Sequence, residues 1–106
     1  MEFKDLLKFI EVEDKRLTDF YNTYKEPEKK ILGRTVKLSE ELGELSNEIL
    51  SHLSLQRKGK LENQKKDKLS EEFADMIITT LLVAKSMNID IEKALEKKIK
   101  TIDGRY

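Results

Sequence analysis

Residues that break helices are scarce in this sequence. One proline and four glycines occur among the 106 residues, and β-branched residues rarely alternate with polar ones as they do in strands. Apolar residues instead recur three and four positions apart, which is the period of an amphipathic helix. The sequence therefore predicts an all-α fold, and its length predicts a single domain over residues 1–106.

The composition excludes several classes of function. Lysine plus arginine and aspartate plus glutamate number 21 each, so there is no basic excess to bind a nucleic-acid polymer or an anionic membrane. Cysteine is absent, which removes disulfides, thiolate zinc sites and cysteine nucleophiles. The N-terminal segment does not read as a signal peptide, and no apolar run approaches the roughly 20 residues of a membrane span. We expect a soluble cytoplasmic protein.

The apolar spacing predicts two helices in the first half of the chain. The first runs from about residue 2 to residue 24, and Pro27 begins the second, because proline fits the first turn of a helix. The second helix ends near Leu53. Its apolar stripe consists of Leu38, Leu42, Leu45, Ile49 and Leu53. Residues 55–68 contain a glycine and few apolar side chains, and we expect a loop there, or an extension of the second helix followed by a turn.

The third predicted helix is the most apolar part of the chain. Ser70 is a good N-cap, and Glu71 and Glu72 suit the positive end of the helix dipole. The stretch FADMIITTLLVA that follows is apolar on nearly every side, so we expect it to be buried on more than one face. So short a chain hardly covers this helix by itself, and we infer that a second subunit does so.

A fourth helix completes the predicted fold. Asn88 ends the third helix and Asp90 caps the fourth. The apolar stripe of this last helix consists of Ile91, Ala94, Leu95, Ile99 and Ile102.

Carboxylates follow one face of the second helix. Glu41, Glu44 and Glu48 stand three and four residues apart, so their side chains are neighbours on the helix surface. That face lies beside the apolar stripe, and we expect these acids to border the core. Glu40 falls about 100° away and is expected to face solvent. A run such as EELGEL is also common on solvated helix faces, which is the plainer alternative.

A second pair of acids stands on the apolar third helix. Glu72 and Asp75 are three residues apart, and two like charges beside a packed core are costly unless something compensates them. A role in the helix dipole would explain Glu71 and Glu72 but not Asp75, because aspartate is a poor interior helix former. A divalent cation shared with Glu41 and Glu44 is the simplest compensator.

The type of ligand narrows the choice of metal. Carboxylates without imidazole or thiolate suit magnesium, manganese or calcium. Di-iron bundles also use two Glu-x-x-His motifs, whereas His52 is the only histidine here. Magnesium usually shares its shell with water and substrate phosphates. The sequence therefore predicts a Mg²⁺ site, in which Mn²⁺ could substitute, and a phosphate-bearing substrate.

The segments KLSEELGELSNEIL and SEEFADMIITTLLVAKSMNIDIEKALEKKI resemble the MazG-like all-α nucleoside triphosphate pyrophosphohydrolases, a superfamily that includes dimeric dUTPases and phosphoribosyl-ATP pyrophosphohydrolase. The resemblance covers about residues 31–106. Its signature, Glu-x-x-Glu followed by Glu-x-x-Asp, matches Glu41, Glu44, Glu72 and Asp75. It implies a four-helix MazG-like bundle completed by dimerisation or a dimer of dimers. It further implies Mg²⁺-dependent hydrolysis between the α and β phosphates, giving a nucleoside monophosphate and pyrophosphate in house-cleaning of nucleotide pools.

The same resemblance implies roles for further residues. Either Glu41 or Glu44 would orient or deprotonate the attacking water. Lys98 and Arg105 would contact phosphates, although basic residues near a helix C-terminus also favour the dipole. An asparagine three residues before that arginine is common in the family, and this chain has Ile102 there.

Other contacts to substrate are left open by the sequence. Lys37 and Arg34 precede the carboxylates on the second helix and could touch phosphates or be solvated. The basic segment with Arg57, Lys58, Lys60, Lys65 and Lys66 could close over a nucleotide, but a solvated loop is preferred. Four aromatic residues of the first helix could stack on a base, and packing in the core is preferred. These residues are Phe9, Phe20, Tyr21 and Tyr24.

Two rival functions stay open at this point. One is a catalytically silent helical dimer that binds nucleotide or a protein partner. The other is an interaction bundle with charged faces and no affinity for metal.

Overall fold

The computed structural model of the protein describes residues 1–56 and 62–106. The described residues form four α-helices and one 3₁₀ helix, and they include no strand. The helices are α1 (Phe3–Phe20), α2 (Pro27–Gln56), α3 (Glu62–Ser86) and α4 (Ile91–Asp103), with the 3₁₀ helix at Asn22–Lys25. The predicted all-α class is confirmed.

Helix α1 ends earlier than the apolar spacing predicts. The backbone of Tyr21 is extended (φ −97°, ψ 107°), and its N–H donates to the carbonyl of Leu17. A turn of 3₁₀ helix follows, so the predicted end near residue 24 was wrong. Proline restricts the residue before it to extended conformations. Glu26 accordingly has φ −94° and ψ 115° before Pro27 begins α2.

Helices α2 and α3 form an antiparallel pair. Arg34 near the start of α2 contacts the carbonyl of Leu82 near the end of α3. Further along α2, Glu48 pairs with Lys68 near the start of α3. Residues that are far apart in the chain therefore meet in reverse order, which brings the two predicted pairs of acids opposite each other.

The start of α3 differs most from the prediction. The helix begins at Glu62, not at a cap on Ser70, because residues 62–68 consist largely of good helix formers (Glu, Gln and Lys). The loop expected over residues 55–68 was therefore wrong for residues 62–68, whereas the end of α2 at Gln56 agrees with the alternative of an extended second helix. Glu71 and Glu72 lie in the interior of α3 and do not serve its N-terminal dipole. Arg57, Lys58 and Lys60 of the basic segment lie outside the described residues.

The connection from α3 to α4 follows the predicted signals. Asn88 adopts a left-handed conformation (φ 56°), which is common just after a helix C-terminus. The carboxylate of Asp90 accepts a hydrogen bond from the backbone N–H of Lys93 at 3.1 Å and caps α4.

The buried core is small: its cluster lies between α1, α3 and the start of α4, and Leu45 of α2 is a further buried apolar residue. Ile10, Leu81 and Leu82 are buried, and Leu6, Leu17, Ile78 and Ile91 pack against them. The radius of gyration is 16.8 Å, against about 13 Å for a compact domain of this size. None of the described helices is long and apolar enough to cross a membrane.

Candidate metal centre

Glu41 is a buried carboxylate in the middle of α2. Its side chain is 7% exposed, and Oε1 lies 3.2 Å from Nζ of Lys37 one turn earlier. The hydrogen bond and charge of Glu41 raise the pKa of Lys37, so the lysine stays protonated. Oε2 of Glu41 is buried and finds no hydrogen-bond partner among the described residues. One of the two oxygens of this carboxylate therefore has neither a donor nor a cation beside it among the described residues. The expectation that the acids of this face border the core is confirmed for Glu41.

Glu72 on α3 is also buried, with 9% of the residue exposed. Its Oε2 is a second buried oxygen that has no partner within the described part of the chain. Burial raises the pKa of Glu72, and the negative charges of Glu44, Asp75 and Glu41 raise it further, against the opposing charge of Lys68. Burial and the neighbouring like charges therefore both oppose ionisation of Glu72, and a cation bound between these carboxylates would offset both.

Three carboxylates converge between α2 and α3. One oxygen from each of Glu41, Glu72 and Asp75 lies within 4.8 Å of the oxygens of the other two. Ligands on opposite sides of Mg²⁺ are about 4.2 Å apart, so small side-chain movements would place all three around one ion. Asp75 is exposed, which leaves the site open to water and substrate on one side.

Glu44 lies at the edge of this group. It is exposed, and its charge contributes to the raised pKa of Glu72. Its oxygens are not part of the set within 4.8 Å. The structure thus brings three of the four predicted ligands together and places the fourth within electrostatic reach. Glu40 is exposed, as expected, and its carboxylate lies 3.8 Å from Nζ of Lys37.

Glu48 is a further acid whose position is informative. Its Oε1 lies 3.7 Å from Nζ of Lys68, and its Oε2 is buried without a hydrogen-bond partner among the described residues. The sequence placed Glu48 on the same face as Glu41 but did not assign it a role. Its burial depends on the extension of α3 back to Glu62, which the prediction missed.

The two basic residues near the C-terminus are not part of the carboxylate group. Lys98 lies on α4 and Arg105 follows its end, and both are exposed. Neither forms an ion pair with another described residue. Helix α4 contacts the core through Ile91, so a single copy of the chain leaves both basic side chains free to meet a ligand.

A cavity of about 180 Å³ lies one turn from the carboxylates. Its lining includes Tyr21, Tyr24, Arg34, Lys37 and Thr79. Arg34 is only 3% exposed, so the solvated alternative considered for it is excluded. Tyr21 is 47% exposed, so the preferred position of this side chain in the core was wrong.

The other two of the four aromatic candidates are also exposed. Phe9 is exposed on α1, and Phe20 at its end is 77% exposed. Their preferred assignment to the core was likewise wrong. The reason is that the small core is occupied by aliphatic side chains of α1 and α3.

Comparison with known proteins agrees with this geometry. The sequence profile of the MazG-like family matches residues 33–106, well over half of the chain. The chain belongs to the MazG-like family. Neither the search of curated proteins nor the search of solved structures found a match. The matched region holds Glu41, Glu44, Glu72 and Asp75, whereas α1 and the 3₁₀ helix precede it.

Family membership and the donor set point to the same kind of ion. MazG-like proteins are generally nucleotide pyrophosphatases and usually use a divalent metal. The side chains at the site are hard oxygen donors, and two of them carry buried oxygens without a hydrogen-bond partner in the part of the chain that the structure describes. Oxygen donors of this kind suit Mg²⁺ or Mn²⁺.

Proposed function

We propose that the protein is a Mg²⁺-dependent nucleoside triphosphate pyrophosphohydrolase that cleaves between the α and β phosphates. The products would be a nucleoside monophosphate and pyrophosphate, in house-cleaning of nucleotide pools. The observation that carries the proposal is the convergence of Glu41, Glu72 and Asp75, two of which carry a buried oxygen with no hydrogen-bond partner among the described residues. Membership of the MazG-like family supports the same chemistry.

Three of the four acids converge, and the fourth is exposed. Glu41, Glu72 and Asp75 would hold the metal, and the exposed side chain of Glu44 is free to turn in as a fourth ligand. A bound Mg²⁺ supplies charge neutralisation for the phosphate oxygens and makes water more acidic. Either Glu41 or Glu44 would orient this water and accept its proton. Mn²⁺ could take the place of Mg²⁺.

Three basic residues would bind the phosphates. Lys37 lies 3.2 Å from the carboxylate of Glu41, so its ammonium group can reach a phosphate bound at the same ion. Lys98 and Arg105 are exposed on the C-terminal segment and form no competing ion pair with described residues. Since cations compensate the charge that develops on the phosphates, each would stabilise the transition state.

A homodimer or homotetramer is part of the proposal. Phe73 and Ile77 of α3 and Ile99 of α4 are about half exposed in a single copy. Apolar side chains of this size are favourably buried against another surface. The large radius of gyration is consistent with a chain that completes its core by association.

The alternative is a catalytically silent protein that binds nucleotide or a protein partner. The specific observation in its favour is Ile102, which replaces an asparagine that is common in the family. The apolar side chain of Ile102 offers no hydrogen bond to a phosphate or ribose.

The experiment is a panel of canonical, deoxy and damaged nucleoside triphosphates with Mg²⁺, scored for pyrophosphate release. We expect release from at least one triphosphate, loss of release in EDTA, and loss in Asp75→Asn. Asp19→Asn is the matched control, because Asp19 is exposed on α1 outside the carboxylate group, and it should retain turnover. Nucleotide binding without pyrophosphate release from any triphosphate would favour the silent alternative.

A further inference from the structure

The cavity beside the carboxylates has the size and walls of a site for a planar ring. Pockets for whole drug-sized ligands measure about 300–1,000 Å³, whereas this one measures about 180 Å³. The rings of Tyr21 and Tyr24 lie 5.1 Å apart and line it together with Leu17 and Leu82. Aromatic and apolar walls of this kind accept the face of a nucleobase.

Arg34 gives the cavity a specific polar group. One of its terminal nitrogens, Nη1, donates to Oδ1 of Asp14 at 2.6 Å and to the carbonyl of Leu82 at 3.2 Å. Its Nε and Nη2 are buried and find no hydrogen-bond partner among the described residues. The ring of Tyr24 covers the guanidinium at 5.5 Å and fixes its plane. Arg34 therefore lines the cavity and carries two buried donors that have no partner among the described residues, and a small rotation of the guanidinium would turn them toward an entering ring.

The two unused nitrogens belong to the same edge of the guanidinium. Nε–H and Nη2–H point in parallel and form the fork by which arginine binds two adjacent acceptors. Guanine offers such a pair in O6 and N7, and cytosine offers O2 and N3. In adenine the acceptors N1 and N7 each stand beside the exocyclic amino group, and in uracil and thymine both carbonyl oxygens stand beside N3–H, so a donor would oppose one arm of the fork.

The cavity also lies at a distance from the metal centre that a nucleotide can span. Arg34, Lys37 and Glu41 follow each other at helical spacing on one face of α2. The rise from Arg34 to Glu41 is roughly 10 Å, a distance that a sugar and the first phosphate can bridge. Thr79 in the cavity wall stands one turn after Asp75 on the facing helix α3.

We infer that this cavity holds the base of the substrate and that the Nε/Nη2 edge of Arg34 selects guanine or cytosine over adenine, uracil and thymine. The inference rests on the proposed function, because it names the base of the same triphosphate. Guanine and cytosine share the recognised chemistry, a pair of adjacent acceptors, and the experiment separates them.

The first test compares kcat/KM for the deoxynucleoside triphosphates of guanine, cytosine, adenine, thymine and uracil. We expect the best substrate to carry guanine or cytosine, by about tenfold or more over the other three bases. If it is guanine, 7-deaza-dGTP, which lacks the N7 acceptor, should lose about the same factor. A best substrate that carries adenine, uracil or thymine would overturn the inference.

A second test uses Arg34→Lys, which keeps the positive charge but lacks the fork. The preference between bases should fall about tenfold while circular dichroism shows an unchanged helix content. Arg34 also joins α1 to α3, so the lysine variant could fail to fold. Tyr21→Ala tests the inference in that case. It should raise KM about tenfold for the preferred substrate, since one base-stacking contact is lost. Phe9→Ala, on α1 and outside the cavity lining, should not.

Binding measurements separate failure of this inference from failure of the proposed function. Calorimetry with the nucleosides alone, without Mg²⁺ or phosphates, should show guanosine or cytidine binding and no adenosine binding. Turnover of all bases at equal rates would leave the pyrophosphohydrolase in place and overturn base selection. If Tyr21→Ala weakens pyrophosphate binding as much as triphosphate binding, the cavity holds phosphate, and the inference is wrong.

Discussion

Glu72 is the residue whose surroundings say most about the site. Its carboxylate is buried, faces three other acids and carries an oxygen without a partner among the described residues. The helical spacing of Glu72 and Asp75 could be predicted from sequence because it depends only on local geometry. The pairing with Glu41 followed from two separate motifs, and the structure brings these residues together.

Replacing Glu72 by glutamine should stabilise the protein and lower its activity. Glu72→Gln removes a buried negative charge, so the metal-free protein should melt at a higher temperature than the wild type in EDTA. It should also reduce Mg²⁺-dependent turnover by more than about 100-fold, since partners outside the ligand shell already cost 10–100-fold. Differential scanning calorimetry and pyrophosphate release measure the two effects.

Glu71→Gln is the control for this prediction, because Glu71 is the exposed neighbour on the same helix. It should change neither the melting temperature in EDTA nor the turnover appreciably. A Glu72→Gln protein that is less stable than the wild type in EDTA would show that the carboxylate is held by structural contacts.

Asp14 gives the fold a dependence on pH. Burial by itself would raise the pKa of Asp14, but the hydrogen bond and charge of Arg34, with the charge of Lys30, lower it below 3.8. A carboxylate whose pKa is lowered on folding stabilises the protein above the unfolded-state pKa. This stabilisation is lost as the pH falls through the folded-state pKa.

We therefore expect the free energy of unfolding to fall as the pH is lowered below about 4. Asp14→Asn should cost about 2 kcal/mol at pH 7, because Arg34 loses a charged partner while it stays buried. The variant should also show a weaker pH dependence in this range. Urea unfolding at a series of pH values measures both. If the free energies of unfolding of the variant and the wild type change with pH in parallel, Asp14 is not the cause of the pH dependence.

The buried position of Arg34 could not be predicted from its surroundings in the sequence. Its partners are Asp14 on α1 and the carbonyl of Leu82 on α3, which are distant in the chain. For the same reason the local pattern did not show that Tyr21 and Tyr24 would line a cavity. Both follow the end of α1, where the extended backbone of Tyr21 redirects the chain.

At the scale of the elements, α2 is a long helix with two interior glycines in different surroundings. A Cβ on Gly33 would lie 2.9 Å from Cε1 and Oη of Tyr24, whereas a Cβ on Gly43 would meet no neighbouring atom of the described residues within 4 Å. Glycine weakens a helix interior by about 1 kcal/mol relative to alanine. Gly43 therefore has no packing reason to be glycine, and Gly33 makes room for the tyrosine that covers Arg34.

Alanine at the two positions should behave differently. Gly43→Ala should stabilise the protein by about 1 kcal/mol. Gly33→Ala should gain less than this or destabilise, and should weaken substrate binding, because Tyr24 is displaced from the cavity wall. Urea unfolding and KM measure the two effects. Equal stabilisation by both alanines would show that Tyr24 moves without cost.

The boundaries of the elements were predicted where a strong local signal exists. Pro27 begins α2 and Asp90 caps α4, as the sequence indicates. The start of α3 was missed because Ser70 resembles a cap, although the residues before it are good helix formers and extend the helix to Glu62. This extension also explains Glu48, which pairs with Lys68 across the helix pair.

At the scale of the whole molecule, the chain has a small core and exposed apolar side chains on α3 and α4. Nothing in a single sequence fixes where α4 lies relative to the others, since its contacts come from a short apolar stripe. Lys98 and Arg105 are carried by this segment. Their roles as phosphate ligands therefore depend on how the molecule associates or closes on its substrate.

Association can be tested through Ile77. A charge at this half-exposed position would have to be buried in an interface that covers α3, at a large cost in desolvation. The wild type should be a dimer or tetramer by light scattering coupled to size exclusion, and Ile77→Glu should shift it to the monomer. Lys15→Glu, on the exposed face of α1, should leave the assembly unchanged. A monomeric wild type would contradict the proposed oligomer.

The central claim is that the carboxylate group directs hydrolysis of a triphosphate at the bond between the α and β phosphates. The most direct measurement is ³¹P NMR of the products formed from the best triphosphate with Mg²⁺, repeated in EDTA. We expect nucleoside monophosphate and pyrophosphate in equal amounts with Mg²⁺ and unchanged triphosphate in EDTA. Nucleoside diphosphate and orthophosphate, or the same products at the same rate in EDTA, would contradict the claim.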